Sequence, residues 1–140
     1  MIAWLEGKVI MVRNIKKNIA PGIEKPEGWG VPAGGVRAYE TPFRAAHREF
    51  EEETNIFGGY SISDEPIAAF QKQNGHIGLV FMVNLDPYTE LPKQVRDPIE
   101  HIKEAVWADP LNDFEHGMFR EMRIYKTHLE LINMSASVAS

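Results

Sequence analysis

With 140 residues and a formal net charge of −5, the chain is expected to form one domain, 1–140. That length buries about two-thirds of the surface an unfolded chain exposes. Cysteine is absent, which excludes disulfides, a thiol nucleophile and a Cys-based zinc site. The acidic balance disfavours a broad nucleic-acid surface. No signal-like N-terminus is present, nor any apolar run near the ~20 residues of a membrane span, so the expected location is the cytoplasm, away from membranes.

Ile2 to Leu5 and Lys8 to Val12 flank Glu6-Gly7 and predict a strand–turn–strand start. Residues 14–28 hold Pro21, Gly22, Pro26 and Gly28 and read as a loop. Its Lys16, Lys17 and Lys25 serve either solubility or contact with a phosphorylated substrate. A helix follows. Thr41 suits the N-cap, Pro42 suits the first helical position, and Phe43, Ala46 and Phe50 recur at helical spacing. Asn55 stands where a left-handed cap residue belongs. Pro66 to Gln73 and His76 to Asn84 are strand-like around Asn74-Gly75, and the apolar run 77–83 predicts a buried central strand. Residues 85–100 carry Pro87, Pro92 and Pro98 and predict a long loop, followed by a short strand from Glu104 to Ala108. Met118, Met122, Tyr125, Leu129 and Ile132 predict one amphipathic C-terminal helix, and residues 134–140 a frayed tail. A helix after a set of strands, with another helix at the end, implies layered α/β packing.

The helix from Thr41 breaks a local rule. Glu49, Glu51, Glu52 and Glu53 crowd its C-terminal end, where the macrodipole is already negative. Glu49 and Glu53, at i,i+4, add a like-charge penalty of about 0.2–0.5 kcal/mol. Local rules tend to fail at functional sites. At about 100° per residue, Glu49, Glu52 and Glu53 share one face while Glu51 points elsewhere. Arg48 lies within i+4 reach of Glu52, and Arg44 within reach of Glu40. Three carboxylates on one face are hard oxygen ligands that suit Mg²⁺ or Mn²⁺. The turn from Trp29 to Gly35 lets backbone approach a ligand closely, so a carbonyl there is a candidate ligand too. The bland alternative is a solvated acidic face.

The segment from Gly34 to Ile56 resembles the Nudix box, G-x5-E-x7-R-E-U-x-E-E-x-G-U, where U is apolar. The matching residues are Gly34, Glu40, Arg48, Glu49, Phe50, Glu52, Glu53 and Ile56, with Asn55 in place of the final glycine. Fixed-register agreement of this extent arises by chance about once in 10⁷ positions, given residue frequencies of roughly 5–7%. The preceding Gly28-Trp29-Gly30-Val31-Pro32 is similar to the family's Trp-x-x-Pro-Gly-Gly lead-in, with Ala33 where a glycine is usual. Arg37 and Tyr39 stand where many relatives carry Glu and Gly, in a stretch that bears on substrate.

The resemblance implies the Nudix α/β/α sandwich, with the box helix and the C-terminal helix packed on a mixed sheet. It implies a Mg²⁺-dependent hydrolase, Mn²⁺ substituting, that cleaves the diphosphate linkage of a nucleoside diphosphate joined to another group X. Carried residue by residue, it implies Glu52 and Glu53 as metal ligands and Glu49 as a third ligand or general base. Arg48 orients them, the Ala33 carbonyl is a backbone ligand, and Gly34 and Glu40 are supporting positions. Many relatives add a glutamate on a later loop, for which Glu100 and Glu104 are candidates. Trp4, Trp29, Tyr39, Phe70 and Trp107 are candidates for stacking on a base, each set against a packing role. The expected partner is a small nucleotide-type substrate, and the family also admits a homodimer. Two rival readings stand beside this one: a non-hydrolytic nucleotide-binding module, and an RNA 5′-end pyrophosphohydrolase.

Overall fold

A computed structural model describes residues 1–15, 17–72, 75–92 and 102–139. Ten strands and three helices follow one another along these residues. The strands are β1 (Ile2–Leu5), β2 (Lys8–Asn14), β3 (Lys17–Ala20), β4 (Ile23–Lys25) and β5 (Gly28–Gly30), which precede helix α1 (Pro42–Thr54). After it come β6 (Tyr60–Ile62), β7 (Ala68–Gln71), β8 (Ile77–Val80), β9 (Met82–Leu85) and β10 (Ile102–Ala108), then α2 (Gly117–Glu121) and α3 (Lys126–Ala139).

The main sheet runs β10-β2-β1-β9-β6, with β5 also paired to β2. It is mixed: β1 and β9 are parallel, through Ile2↔Met82 and Ala3↔Val83, and the other pairs are antiparallel. Side chains alternate across a strand, and the core divides accordingly. Ile2, Val9, Met11, Trp29, Met82 and Ile132 pack on one face of the sheet. Ala3, Ile10, Ala46, Phe50, Phe81 and Val83 pack on the other. Helix α1 covers the second face through Ala46 and Phe50; α2 and α3 cover the first through Phe119 and Ile132. This is the expected α/β/α sandwich. Phe50 is completely buried, and burial of that size contributes roughly 1.5–3 kcal/mol.

Four elements differ from the sequence reading. Residues 14–28 are not a loop throughout, because β3 and β4 form a hairpin across Pro21-Gly22. Gly22 adopts φ 74, the left-handed geometry that such a turn requires. The apolar stretch from His76 to Asn84 is two strands broken at Phe81. β8 pairs with β7 in a separate two-stranded sheet, and β9 enters the main sheet. Ile77 and Leu79 are therefore exposed rather than central. The C-terminal region is two helices, since residues 123–125 run beside β5: the Trp29 N–H donates to the Arg123 carbonyl at 2.8 Å and the Tyr125 N–H to the Trp29 carbonyl at 2.9 Å. Finally, α3 continues through Ala139 where composition suggests a frayed tail. The Trp4 Nε1–H donates to Ser135 Oγ at 2.8 Å, and Ser135 is fully buried. Among the described residues, no helix is long and apolar enough to cross a membrane. Residue 74 of the expected hairpin turn and residues 93–100 of the expected 85–100 loop lie outside the described residues.

Candidate metal-carboxylate site

Helix α1 begins and ends where its sequence dictates. Thr41 is extended and its Oγ1 accepts from the Arg44 N–H at 3.1 Å, with Pro42 next. Asn55 closes the helix in the left-handed conformation, φ 59 and ψ 23, so an asparagine meets the demand usually met by glycine. Between these caps the helix points Phe50 at the sheet and its acidic face at the loop before it.

Arg48 organises that face. Its Nε and Nη2 donate to both oxygens of Glu40 at 2.7 and 2.8 Å, a bidentate pair. Nη1 donates to Glu49 at 2.7 Å and reaches Glu52 at 3.4 Å, while Nη2 also donates to the Gly35 carbonyl at 2.8 Å. The Arg48 fork, helped by the Arg37 N–H, holds the Glu40 carboxyl down at about 2. Arg44, the partner expected for Glu40, takes no part: Arg48 has replaced it. Glu51 points away, as helical geometry requires, and accepts from the Tyr60 hydroxyl at 2.6 Å.

Glu49 and Glu53 are the buried members of the face, 7% and 4% exposed, which is rare for carboxylates. Glu53 is fixed by the Ala33 N–H, which donates to it at 3.0 Å. Desolvation, and then the neighbouring Glu49, raise its pKa well above the usual carboxylate range. Gly34 lies against Glu49 so closely that a Cβ there would collide with the carboxylate. The lead-in turn is thus folded directly onto the helix's acidic face, with Ala33 meeting Glu53 and Gly34 meeting Glu49. Glu52 is partly exposed, between Arg48 and Arg37.

Among the described residues, no three carboxylate or imidazole groups converge into a ready coordination sphere. The donor chemistry nevertheless fits a hard divalent cation. Two buried carboxylates stand side by side, and desolvation together with the neighbouring Glu49 disfavours the charged form of Glu53. Glu104 is elsewhere, on β10 opposite Arg13, with Oε1 3.2 Å from Nε. Glu100 lies outside the described residues.

A cavity of about 760 Å³ opens beside these groups, with Ala33, Gly34 and Glu49 at one end and Phe70, Ile77, Leu79 and His128 among its walls. Of the five aromatic candidates, Phe70 borders this cavity. Trp29 is core and its Nε1–H donates to the Met118 carbonyl; Trp4 binds Ser135; Trp107 packs behind α1. Tyr39 is fully exposed, and its φ of 67 is uncommon for an aromatic residue. Lys25 stacks over the Tyr125 ring at 4.8 Å, and its charge acts on Glu53 against the effect of burial. His128 was not distinguished by any spacing; it comes to the cavity through a contact with Val31 that spans 97 residues of chain.

The helix of this sandwich thus presents two buried carboxylates to a glycine turn folded down onto them. A family model described as the NUDIX domain matches residues 3–121. The chain belongs to the NUDIX family, and with it to the hydrolases of phosphorus-containing acid anhydrides. No curated protein matches. Among solved structures, an Ap4A hydrolase from C. elegans is similar at a TM-score of 0.62 and 17% identity, over 99% of this chain and 93% of that one. A NUDIX hydrolase from Nitrosomonas europaea gives 0.62 and 21%, over 97% and 84%. A bifunctional NMN adenylyltransferase/ADP ribose pyrophosphatase from Francisella tularensis, complexed with AMP and manganese, gives 0.66 and 20%, over 99% of this chain and 40% of that one. These identities speak to the shared fold.

Proposed function

We propose that this protein is a Mg²⁺-dependent hydrolase, with Mn²⁺ as substitute, that splits the diphosphate linkage of a nucleoside diphosphate joined to a second group X. The observation that carries the reading is the desolvated Glu49–Glu53 pair pressed against the Ala33-Gly34 turn. Burying two carboxylates together without a cation is costly, and a divalent ion relieves that cost.

In this reading Glu52 and Glu53 hold the metal, with Glu49 as third ligand or general base and the Ala33 carbonyl as a backbone ligand. The ion, when bound, neutralises phosphate oxygens and lowers the pKa of a bound water. The remaining work falls to the chain. Arg48 fixes the rotamers of Glu49 and Glu52 and offsets their charge. Glu40 locks Arg48 from behind, and Gly35 ties the lead-in turn to the same guanidinium. The bare Cα of Gly34 leaves the Glu49 carboxylate its room. Similar folds include an Ap4A hydrolase and an ADP ribose pyrophosphatase, both consistent with a free nucleotide-type substrate. The setting we propose is the cytoplasm, with 1–140 acting as one domain.

The test is a hydrolysis screen of purified protein with millimolar Mg²⁺. The panel holds nucleoside triphosphates, nucleotide sugars, ADP-ribose, dinucleoside polyphosphates, NADH and triphosphorylated RNA. A metal-dependent hit lost in Glu53→Gln is the expected result. Turnover that persists in that variant, or in EDTA, would refute the ligand assignment. Preference for the RNA would move the reading to 5′-end processing.

A further inference from the structure

Of the three carboxylates proposed to hold the metal, Glu52 is the outermost, with its side chain 31% exposed against 10% for Glu49. A guanidinium stands at each of its oxygens. Arg48 Nη1 lies 3.4 Å from Oε2, and Arg37 Nη2 lies 3.9 Å from Oε1. The two arginines are not equivalent. Arg48 is 17% exposed and committed, with bonds of 2.7 and 2.8 Å to Glu40, 2.7 Å to Glu49 and 2.8 Å to the Gly35 carbonyl. Arg37 is 63% exposed, and 3.9 Å is too long for a hydrogen bond. Its contact with Glu52 is a loose attraction between charges that a competitor can take over.

The backbone beneath Arg37 is fixed although the arm is not. The Arg37 N–H donates to Glu40 Oε1 at 3.0 Å, and the Arg37 carbonyl accepts from the Glu40 N–H at 3.1 Å, which closes a turn over 37–40. Tyr39 takes the left-handed position of that turn, at φ 67. The Glu40 carboxylate that pins the turn is the one that Arg48 grips through both of its oxygens. The network that orients the carboxylates therefore also delivers a second cation to the outermost of them.

This placement sets two cations against each other. Like charges a few ångströms apart repel, and both draw on the same carboxylate. A divalent ion at Glu52 must displace a positive neighbour. The Arg48 fork is held on three sides, whereas Arg37 is free to swing. Turned away from Glu52, its planar donors suit a phosphate group. A phosphate compound arriving with the ion gives the displaced guanidinium a new partner; a bare ion gives it none.

We infer that Arg37 competes with the metal for Glu52, so that the bare ion binds weakly and the ion carried by a phosphate compound binds well. The inference rests on the hydrolase reading above, in which Glu52 is a ligand. Arg37 acts through Glu52 and is a positioning residue. By linkage, the ion and the phosphate compound raise each other's affinity by one common factor, and Arg37 sets part of it.

The test uses Mn²⁺, followed by water-proton relaxation, which responds to protein-bound ion, and methylenediphosphonate as an uncleavable phosphate compound. Dissociation constants are measured for Mn²⁺ alone and for its methylenediphosphonate complex, against protein-free blanks. Arg37→Gln should tighten the bare ion about two- to fivefold, the worth of an exposed ion pair. It should leave the phosphonate complex no tighter, so the ratio of the two constants falls. Arg37→Lys keeps the charge and should restore that ratio. The parent and both variants should melt together in EDTA, because the change is confined to an exposed side chain. An Arg37→Gln protein that binds the bare ion no better than the parent would overturn the inference. So would an unchanged ratio, or a lysine variant that behaves like the glutamine one. Glu52→Gln separates this failure from that of the hydrolase reading. Mn²⁺ binding that needs Glu52 but ignores Arg37 refutes the inference alone. Mn²⁺ binding that ignores Glu52, or no Mn²⁺ binding in any form, takes down both.

Discussion

Replacing Glu53 by Gln should stabilise the metal-free protein while abolishing its chemistry. The two carboxyl-sized groups are nearly isosteric, and the glutamine oxygen can still accept from the Ala33 N–H, now at 3.0 Å from Glu53. What changes is charge. Burial and Glu49 raise the Glu53 pKa in the folded state above its unfolded value near 4.5. A raised acid binds a proton in the native state that the unfolded state has already released. Its stabilising contribution is therefore complete below about pH 4.5 and is lost as pH rises through the folded pKa. Within that window each pH unit costs about 1.4 kcal/mol, or roughly 3–5 °C of Tm for a domain of this size. The glutamine has no such proton to lose. Melting curves in EDTA from pH 5 to 9 should show the parent falling away from Glu53→Gln as pH rises. Adding 5 mM Mg²⁺ should then raise the Tm of the parent, because the ion binds only the native state, and leave the variant nearly unmoved. A variant that melts below the parent by a constant amount at every pH would refute the reasoning, because Glu53 would then be a hydrogen-bonding group rather than a desolvated charge.

Gly34→Ala should cost at least tenfold in kcat while the Tm changes little, because the new Cβ displaces the Glu49 carboxylate at a surface turn; unchanged turnover would show that the Glu49 position is irrelevant. Arg48→Lys loses the planar fork that binds Glu40 through two hydrogen bonds and also ties down Gly35; a lower midpoint in urea titration and a fall in activity are expected, and a neutral result would deny Arg48 its organising role. Tyr39→Gly should relieve left-handed strain of about 1–2 kcal/mol against a glycine entropy cost of about 0.5–1 kcal/mol, for a net gain near 2–3 °C in Tm by differential scanning fluorimetry; a lower Tm would mean that the exposed ring makes contacts that stabilise the fold.

The parts of the fold that sequence displayed were those governed by neighbours along the chain. Thr41, Pro42 and Asn55 set the limits of α1 by capping chemistry alone, and the structure keeps them. The carboxylate face was legible for the same reason: it was a local conflict with the helix dipole, and the structure shows two of its members buried. The errors fall where distant partners decide. A continuous apolar run cannot say that β8 and β9 join different sheets, since the break at Phe81 is imposed by β1 and β7. Helical periodicity runs unbroken from Met118 to Ile132, but Ile124 is drawn out to bridge Trp29. Ser135 looked like tail composition until Trp4 supplied its partner across the molecule. The β3–β4 hairpin was hidden by brevity, since Pro21-Gly22 reads equally as loop or turn.

One consequence follows from where α3 sits in the chain. It begins at Lys126, beyond the 3–121 span that the family model matches, yet it carries His128 and closes the first core layer with Ile132 and Ser135. The helix that seals the first core layer thus comes from outside the stretch by which the family is recognised. A chain cut after residue 121 would keep the carboxylate helix and its arginine whole, yet it would leave the Trp4 indole without Ser135, the Val31 N–H without His128 and the core without Ile132.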